Sequence, residues 1–184
     1  ELVKYTPSVS AGTRFGSDQA WFAIRGCTQE FRTAASVGVY FADVVAPRGG
    51  AVITAGDGAG PGAFFDLQNV QVLKGPQGTL FGRNSSGGLV NVITHEPGDT
   101  VEAKVNVGVA NYDTYTSQAY LAGPVTDTLS ADIALTGTDQ GDGWGQDRIT
   151  GDDVGRGWDW GMRSKWVWLP SEMTKITVAG EYGE

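Results

Sequence analysis

Val72 to Thr94 reads VLKGPQGTLFGRNSSGGLVNVIT: an apolar segment, a glycine-rich turn and a second apolar segment. The glycines between Gly75 and Gly88, together with Pro76 and its fixed φ, predict a compact loop of specified shape between two strands. Its purpose depends on the rest of the chain, because such turns serve phosphate binding, close packing and membrane transport alike. Two nucleotide-binding readings fail on the residues themselves. The spacing from Gly82 to Gly87 fits the two glycines of a phosphate-binding loop, but Gly88 and Leu89 follow where Lys and Ser or Thr are needed. A dinucleotide fingerprint needs a helix N-terminus after the glycines, and here the chain runs into the apolar segment Leu89 to Ile93.

Working outward, the 184 residues are 40% hydrophobic and include 28 glycines and six tryptophans, which favours many short strands with turns over a helical protein. A net charge of -8 without a basic stripe argues against a nucleic-acid partner. The single cysteine, Cys27, supplies neither an internal disulfide nor a structural zinc site and is expected as a small buried residue. No stretch reaches the roughly 18 apolar residues of a membrane helix, and the start lacks a basic-then-apolar leader. Transmembrane strands need only about 9–11 residues each and escape a hydropathy scan, so membrane residence stays open.

The two halves are built differently. Up to about His95, short apolar blocks at 21–24, 37–45, 63–67, 70–73 and 89–93 predict buried strands of a small mixed domain. Residues 47–62 (PRGGAVITAGDGAGPG) predict a long loop. After Pro97 the pattern becomes sustained alternation. Val101, Ala103, Val105, Val107 and Val109 oppose Glu102, Lys104 and Asn106; Trp160, Met162, Trp166 and Trp168 oppose Arg163 and Lys165. Similar strands are expected at 115–121, 129–136 and 176–182. Short turns are expected at Gly123–Asp127 and Pro170–Met173, and a long polar loop at Asp139–Asp159. Outer-membrane barrels show this asymmetry of connections, and a soluble antiparallel sandwich would share the alternation. Trp160 and Trp168 lie on the order of 20 Å of depth apart at a tilt near 40°, close to the roughly 25 Å between the aromatic girdles of such a barrel.

The run from Val72 to Thr94 resembles the signature near the end of the plug domain of TonB-dependent outer-membrane receptors. FAIRG at 22–26 resembles the plug's I-R-G strand, VGVYFADVV at 37–45 its following strand, with Ala42 and Val44 as departures, and FDLQNVQVL at 65–73 the approach to the glycine run. The resemblance implies a mixed α+β plug domain, residues 1–97 with its N-terminal part missing, followed by antiparallel transmembrane β-barrel strands at 98–184. Five strands cannot close around a plug, so a fragment of a plugged barrel of about 22 strands is expected. The implied function is energy-coupled uptake across the bacterial outer membrane of a scarce ligand such as a ferric siderophore. The implied partners are an inner-membrane TonB-type energy-transducing complex and outer-membrane lipid and lipopolysaccharide. Competing readings are a non-transporting receptor, signalling or assembly module, and a soluble β-rich enzyme.

Candidate functional residues follow from charge in apolar or glycine-rich surroundings. Arg25 and Arg83 each lie at the edge of an apolar block, where a buried guanidinium would need a carboxylate; the resemblance implies a lock between plug and barrel. Arg48 and Asp57 are the sole charges of the 47–62 loop, the implied ligand-facing apex. Asp139, Asp142, Asp147, Asp152, Asp153 and Asp159 lack calcium-loop spacing and read as a solvated loop. His95 stands beside Glu96 with no nucleophile arranged around it, so no catalytic residue, metal ligand or cofactor is assigned.

Overall fold

A computed structural model describes residues 2–13, 20–28, 36–41, 44–45, 65–82 and 84–183. The chain divides into two compact units, Glu1–His95 and Glu96–Glu184.

In the first unit, β1 (Val9–Thr13) and β2 (Ala20–Ile24) form an antiparallel ribbon preceded by a single helical turn, α1 (Leu2–Tyr5). β3 (Val37–Phe41), β4 (Val44–Val45), β5 (Leu67–Lys74) and β6 (Gly88–Thr94) form a sheet in the order β4-β3-β6-β5. β3 runs parallel to β6, and β5 antiparallel to it. Alternation decides what each face carries. Val37 and Val39 of β3 and Val90 and Val92 of β6 pack with Val9, Phe22 and Ile24 of the ribbon, and Leu67, Val70 and Val72 of β5 close the cluster. Full burial of each such side chain contributes about 1.5–3 kcal/mol, so the ribbon and sheet hold each other. Tyr40, Leu89 and Asn91 alternate with these valines and are also buried, so the sheet is covered on both faces.

Three features of this unit differ from the sequence expectation. The block 37–45 is not one strand, because β4 pairs back on β3 with Tyr40 opposite Val45. A one-turn helix, α2 (Gly78–Phe81), stands inside the glycine run. Cys27 is exposed rather than buried. β2 ends at Ile24, and Arg25 (φ 52°) and Gly26 (φ 79°) turn the chain so that Cys27 pairs with Ile24 in an isolated bridge.

The second unit is a meander. β7 (Glu102–Ala110), β8 (Thr114–Thr126), β9 (Leu129–Gln140), β12 (Gly157–Ser171) and β13 (Thr174–Gly183) pair antiparallel in the order β13-β12-β9-β8-β7, while β10 (Gly145–Gln146) and β11 (Asp153–Val154) make a small hairpin within the connection from β9 to β12. The strands outrun the expected turns: β8 continues through Pro124 to Thr126, and β12 through Pro170 to Ser171. Both prolines are accommodated at register irregularities, between Pro124 and Thr126 and between Trp168 and Ser171, where a missing N–H disrupts no regular ladder. Among the described residues, no helix is long and apolar enough to cross a membrane, which says nothing about strands. All five long strands reach the roughly 9–11 residues that a tilted transmembrane strand needs.

Candidate functional site

The glycine-rich loop is closed by its own backbone. Gly75 N donates to Gly87 O at 3.2 Å, Gln77 N to Ser85 O at 2.9 Å and Gly87 N to Ser36 O at 2.7 Å. Ser85 Oγ donates to Gly82 O at 2.8 Å. The Tyr40 hydroxyl donates to the Phe81 carbonyl, and the two rings meet edge to face with centroids 5.2 Å apart. These donors are spent within the loop and its support, so they offer no cradle to a phosphate. The exit glycines provide space. A Cβ at Gly88 would stand 2.4 Å from the Leu73 carbonyl oxygen and 2.8 Å from Ile24 Cδ1, and one at Gly87 would stand 2.7 Å from Cys27 Cβ. The loop is thus a rigid packing device that fastens β2, β3, β5 and β6 together.

Of the residues singled out from sequence, Arg83, Arg48 and Asp57 lie outside the described residues. Arg25 is exposed at the left-handed exit of β2, its N–H donating to Ser8 O at 2.8 Å, and it has no ion-pair partner among the described residues. His95 directly follows β6, with its N–H donating to Asp66 O at 3.2 Å.

The second unit carries a charge arrangement that sequence reading placed on polar faces without singling out. Register sets Lys104, Tyr120, Ala134, Arg163 and Glu181 in one row across the sheet, and Glu102, Ala122, Asp132, Lys165 and Ala179 in the next. Three cations and three carboxylates therefore alternate along one face. Arg163 Nε donates to Glu181 Oε2 at 3.4 Å, with the Arg163 side chain 5% exposed and Glu181 40%. The backbone N–H of Lys165 donates to Asp132 Oδ1 at 2.7 Å, and Asp132, Arg163 and Lys165 are all buried. Lys104 pairs with Glu102 at 2.7 Å and lies 5.8 Å from the centroid of the Tyr120 ring. Such charges persist in a buried setting only when paired and hydrogen-bonded. The signal that would have found them is cross-strand register, which requires knowing which strands pair.

The opposite face is apolar and bare. Val105, Val107, Val109, Leu121, Leu135, Met162, Trp166, Val178 and Tyr182 are exposed although they alternate with the charged rows. A contiguous apolar surface of this extent is more than a monomer in water ordinarily exposes. At one end of the sheet, the β9–β12 connection is ordered by its own contacts. Gln140 Nε2 donates to Asp142 O at 2.8 Å and Gly155 O at 2.9 Å. Asp147 Oδ1 accepts the N–H groups of Ile149 at 2.7 Å and Thr150 at 3.2 Å, and these bonds hold its carboxyl below the ordinary aspartate range. Among the described residues, no three His, Cys, Asp or Glu side chains converge as a metal site would require.

Residues 1–89 match the family model described as TonB-dependent Receptor Plug Domain. The chain is 42% identical over 67 residues to the pesticin receptor of Yersinia pestis, a match covering 36% of this chain and 10% of that receptor. It is 35% identical over 66 residues to the ferripyoverdine receptor of Pseudomonas aeruginosa, covering 36% of this chain and 8% of that one. Among solved structures, the ferric yersiniabactin uptake receptor of Yersinia pestis superposes with a TM-score of 0.81 at 26% identity, covering 99% of this chain and 28% of that one. The ferripyoverdine receptor of Pseudomonas aeruginosa bound to ferripyoverdine superposes at a TM-score of 0.74 and 18% identity, covering 99% and 22% respectively, and bears on the fold alone. The matches thus span about a tenth of the length of these curated relatives, and the chain spans just over a quarter of the first solved structure.

Proposed function

We propose that this chain, a TonB-dependent receptor plug followed by outer-membrane β-strands, serves an energy-coupled importer that carries a ferric siderophore or a similar iron complex across the bacterial outer membrane. The observation that carries the reading is a joint one. A plug-domain match in the first half is followed by a five-stranded sheet with one charged face and one exposed apolar face. A wall with those two faces separates hydrocarbon from a polar interior. The names of the pesticin, ferripyoverdine and ferric yersiniabactin receptors support the substrate class.

On this reading residues 1–97 form the plug and 98–184 the opening strands of a barrel of about 22. Arg25 and Arg83 lock the plug to carboxylates of barrel strands other than the five in this chain, while Arg48 attracts an anionic iron complex to an apex that also carries Asp57. Energy comes from an inner-membrane TonB-type complex, and the apolar face meets outer-membrane lipid and lipopolysaccharide. The test is growth under iron limitation on a panel of ferric siderophores, with the gene encoding this chain deleted and then restored. Growth on at least one siderophore is expected to fail on deletion and return on restoration; unchanged growth on every iron source sinks the proposal.

A further inference from the structure

The chain passes from the first unit to the second between His95 and Glu96, and it is held on both sides of that junction. On the first side, the His95 N–H donates to Asp66 O at 3.2 Å. On the second, Lys175 Nζ of β13 donates to Glu96 Oε1 at 2.5 Å, with both side chains about half exposed. β13 is one outer strand of the five-stranded sheet, and β7, which opens at Glu102, is the other. To stand beside β13, Glu96 requires the segment that leads to β7 to cross the short-turn end of the sheet. The steps from Glu96 to Glu102 reach about 20 Å when extended. That is close to the four strand spacings, about 19 Å, between the outer strands. The segment lies outside every strand, and between Glu96 and Val101 only Pro97 is buried. A half-exposed pair of two long side chains is weak and screened by salt, so this fastening opens and closes readily.

We propose that Glu96 and Lys175 form a clasp that sets how much chain joins the two units, and that import requires the clasp to open. Closed, it leaves no free residue between the His95 anchor and the Glu96 anchor. Open, it releases residues 96–101 as a leash of up to about 20 Å. The import step rests on the function proposed above, whereas the clasp itself stands on the geometry of the second unit and the chain that enters it.

The test uses the full receptor and has two arms. In the first, hydrogen exchange is measured at the Gly98, Asp99, Thr100 and Val101 amides of purified receptor whose heat-modifiable gel mobility reports an intact barrel. Exchange is expected to quicken by about fivefold in Glu96→Gln, the upper range for a surface pair. It is expected to return to the wild-type rate when Glu96→Lys is combined with Lys175→Glu. Unchanged exchange in Glu96→Gln, or no recovery in the exchanged pair, overturns the clasp. In the second arm, Glu96→Cys and Lys175→Cys are joined in cells by a bis-maleimide with a reducible disulfide in its spacer, in a Cys27→Ser background. The probe is radiolabelled iron presented as the ferric siderophore that the growth panel selects. Uptake is expected to be lost while surface binding persists, and to return once the spacer is reduced. A joined receptor that takes up iron at the wild-type rate, or one that reduction does not restore, overturns the requirement for opening. A panel that selects no siderophore overturns the import reading instead, and the exchange measurement still decides the clasp.

Discussion

Gly88 shows how a single atom's absence can decide a local structure. With a φ of 138° and the Leu73 carbonyl oxygen 2.4 Å from where a Cβ would stand, Gly88→Ala must push apart β5 and β6 or break their first rung. Destabilisation of about 2 kcal/mol or more is predicted, read as faster hydrogen exchange at the β6 amides. Gly78→Ala, with nothing within 4 Å, should stay within about 0.5 kcal/mol. Arg163 and Glu181 pose a different question, that of a cation 5% exposed facing a carboxylate 40% exposed. A double-mutant cycle with alanine at both positions is expected to return a coupling of about 1 kcal/mol or more, whereas a coupling near zero would make the bridge incidental. Asp147 titrates locally. Its carboxyl is lowered in the folded loop, so the turn it holds is fully formed above the unfolded value and is lost as pH falls through the lower, folded value. The Ile149 amide shift should therefore titrate with a midpoint below that of an ordinary aspartate. At this scale the sequence was only partly legible. The glycine run could be read as a packed loop from the missing Lys and Ser or Thr, but the exposure of Cys27 depended on the left-handed turn at Arg25 and Gly26, which no local pattern announces.

At the scale of elements, alternation carried most of the information. The two faces of β7, β8, β9, β12 and β13 follow directly from the period-2 pattern, because register pairs like with like across the sheet. Boundaries were less legible. Pro124 and Pro170 read as turn residues, yet both sit inside strands at register irregularities. The reversal between β3 and β4 has no Gly or Pro in its Ala42-Asp43 sequence, and α2 is too short for a helical period to show. The charged rows became visible only once pairing was known, since Arg163 meets Glu181 and Lys165 meets Asp132 across strands far apart in sequence. The face assignment predicts an asymmetry. Met162→Lys on the apolar face should cost about 2–4 kcal/mol of insertion free energy, and Asn106→Lys on the charged face far less. Refolding into lipid vesicles, followed by heat-modifiable mobility, measures both; equal losses would mean that the apolar face does not meet lipid.

At the scale of the whole molecule, each unit has its own organisation. The first is a small mixed unit with a valine-rich core and a rigid glycine loop; the second is an all-antiparallel wall with opposite chemistry on its two faces. On the proposed reading, the edges of such a wall in hydrocarbon are satisfied by pairing with further strands. In the proposed import function the wall presents its charged face to a polar interior and its apolar face to lipid. The most direct measurement is uptake of radiolabelled iron presented as a ferric siderophore, in cells with the encoding gene present or deleted, with and without a protonophore. The account predicts gene-dependent accumulation that the protonophore abolishes while surface binding of the complex persists. Accumulation that is independent of the gene, or that continues undiminished without the proton gradient, would contradict it.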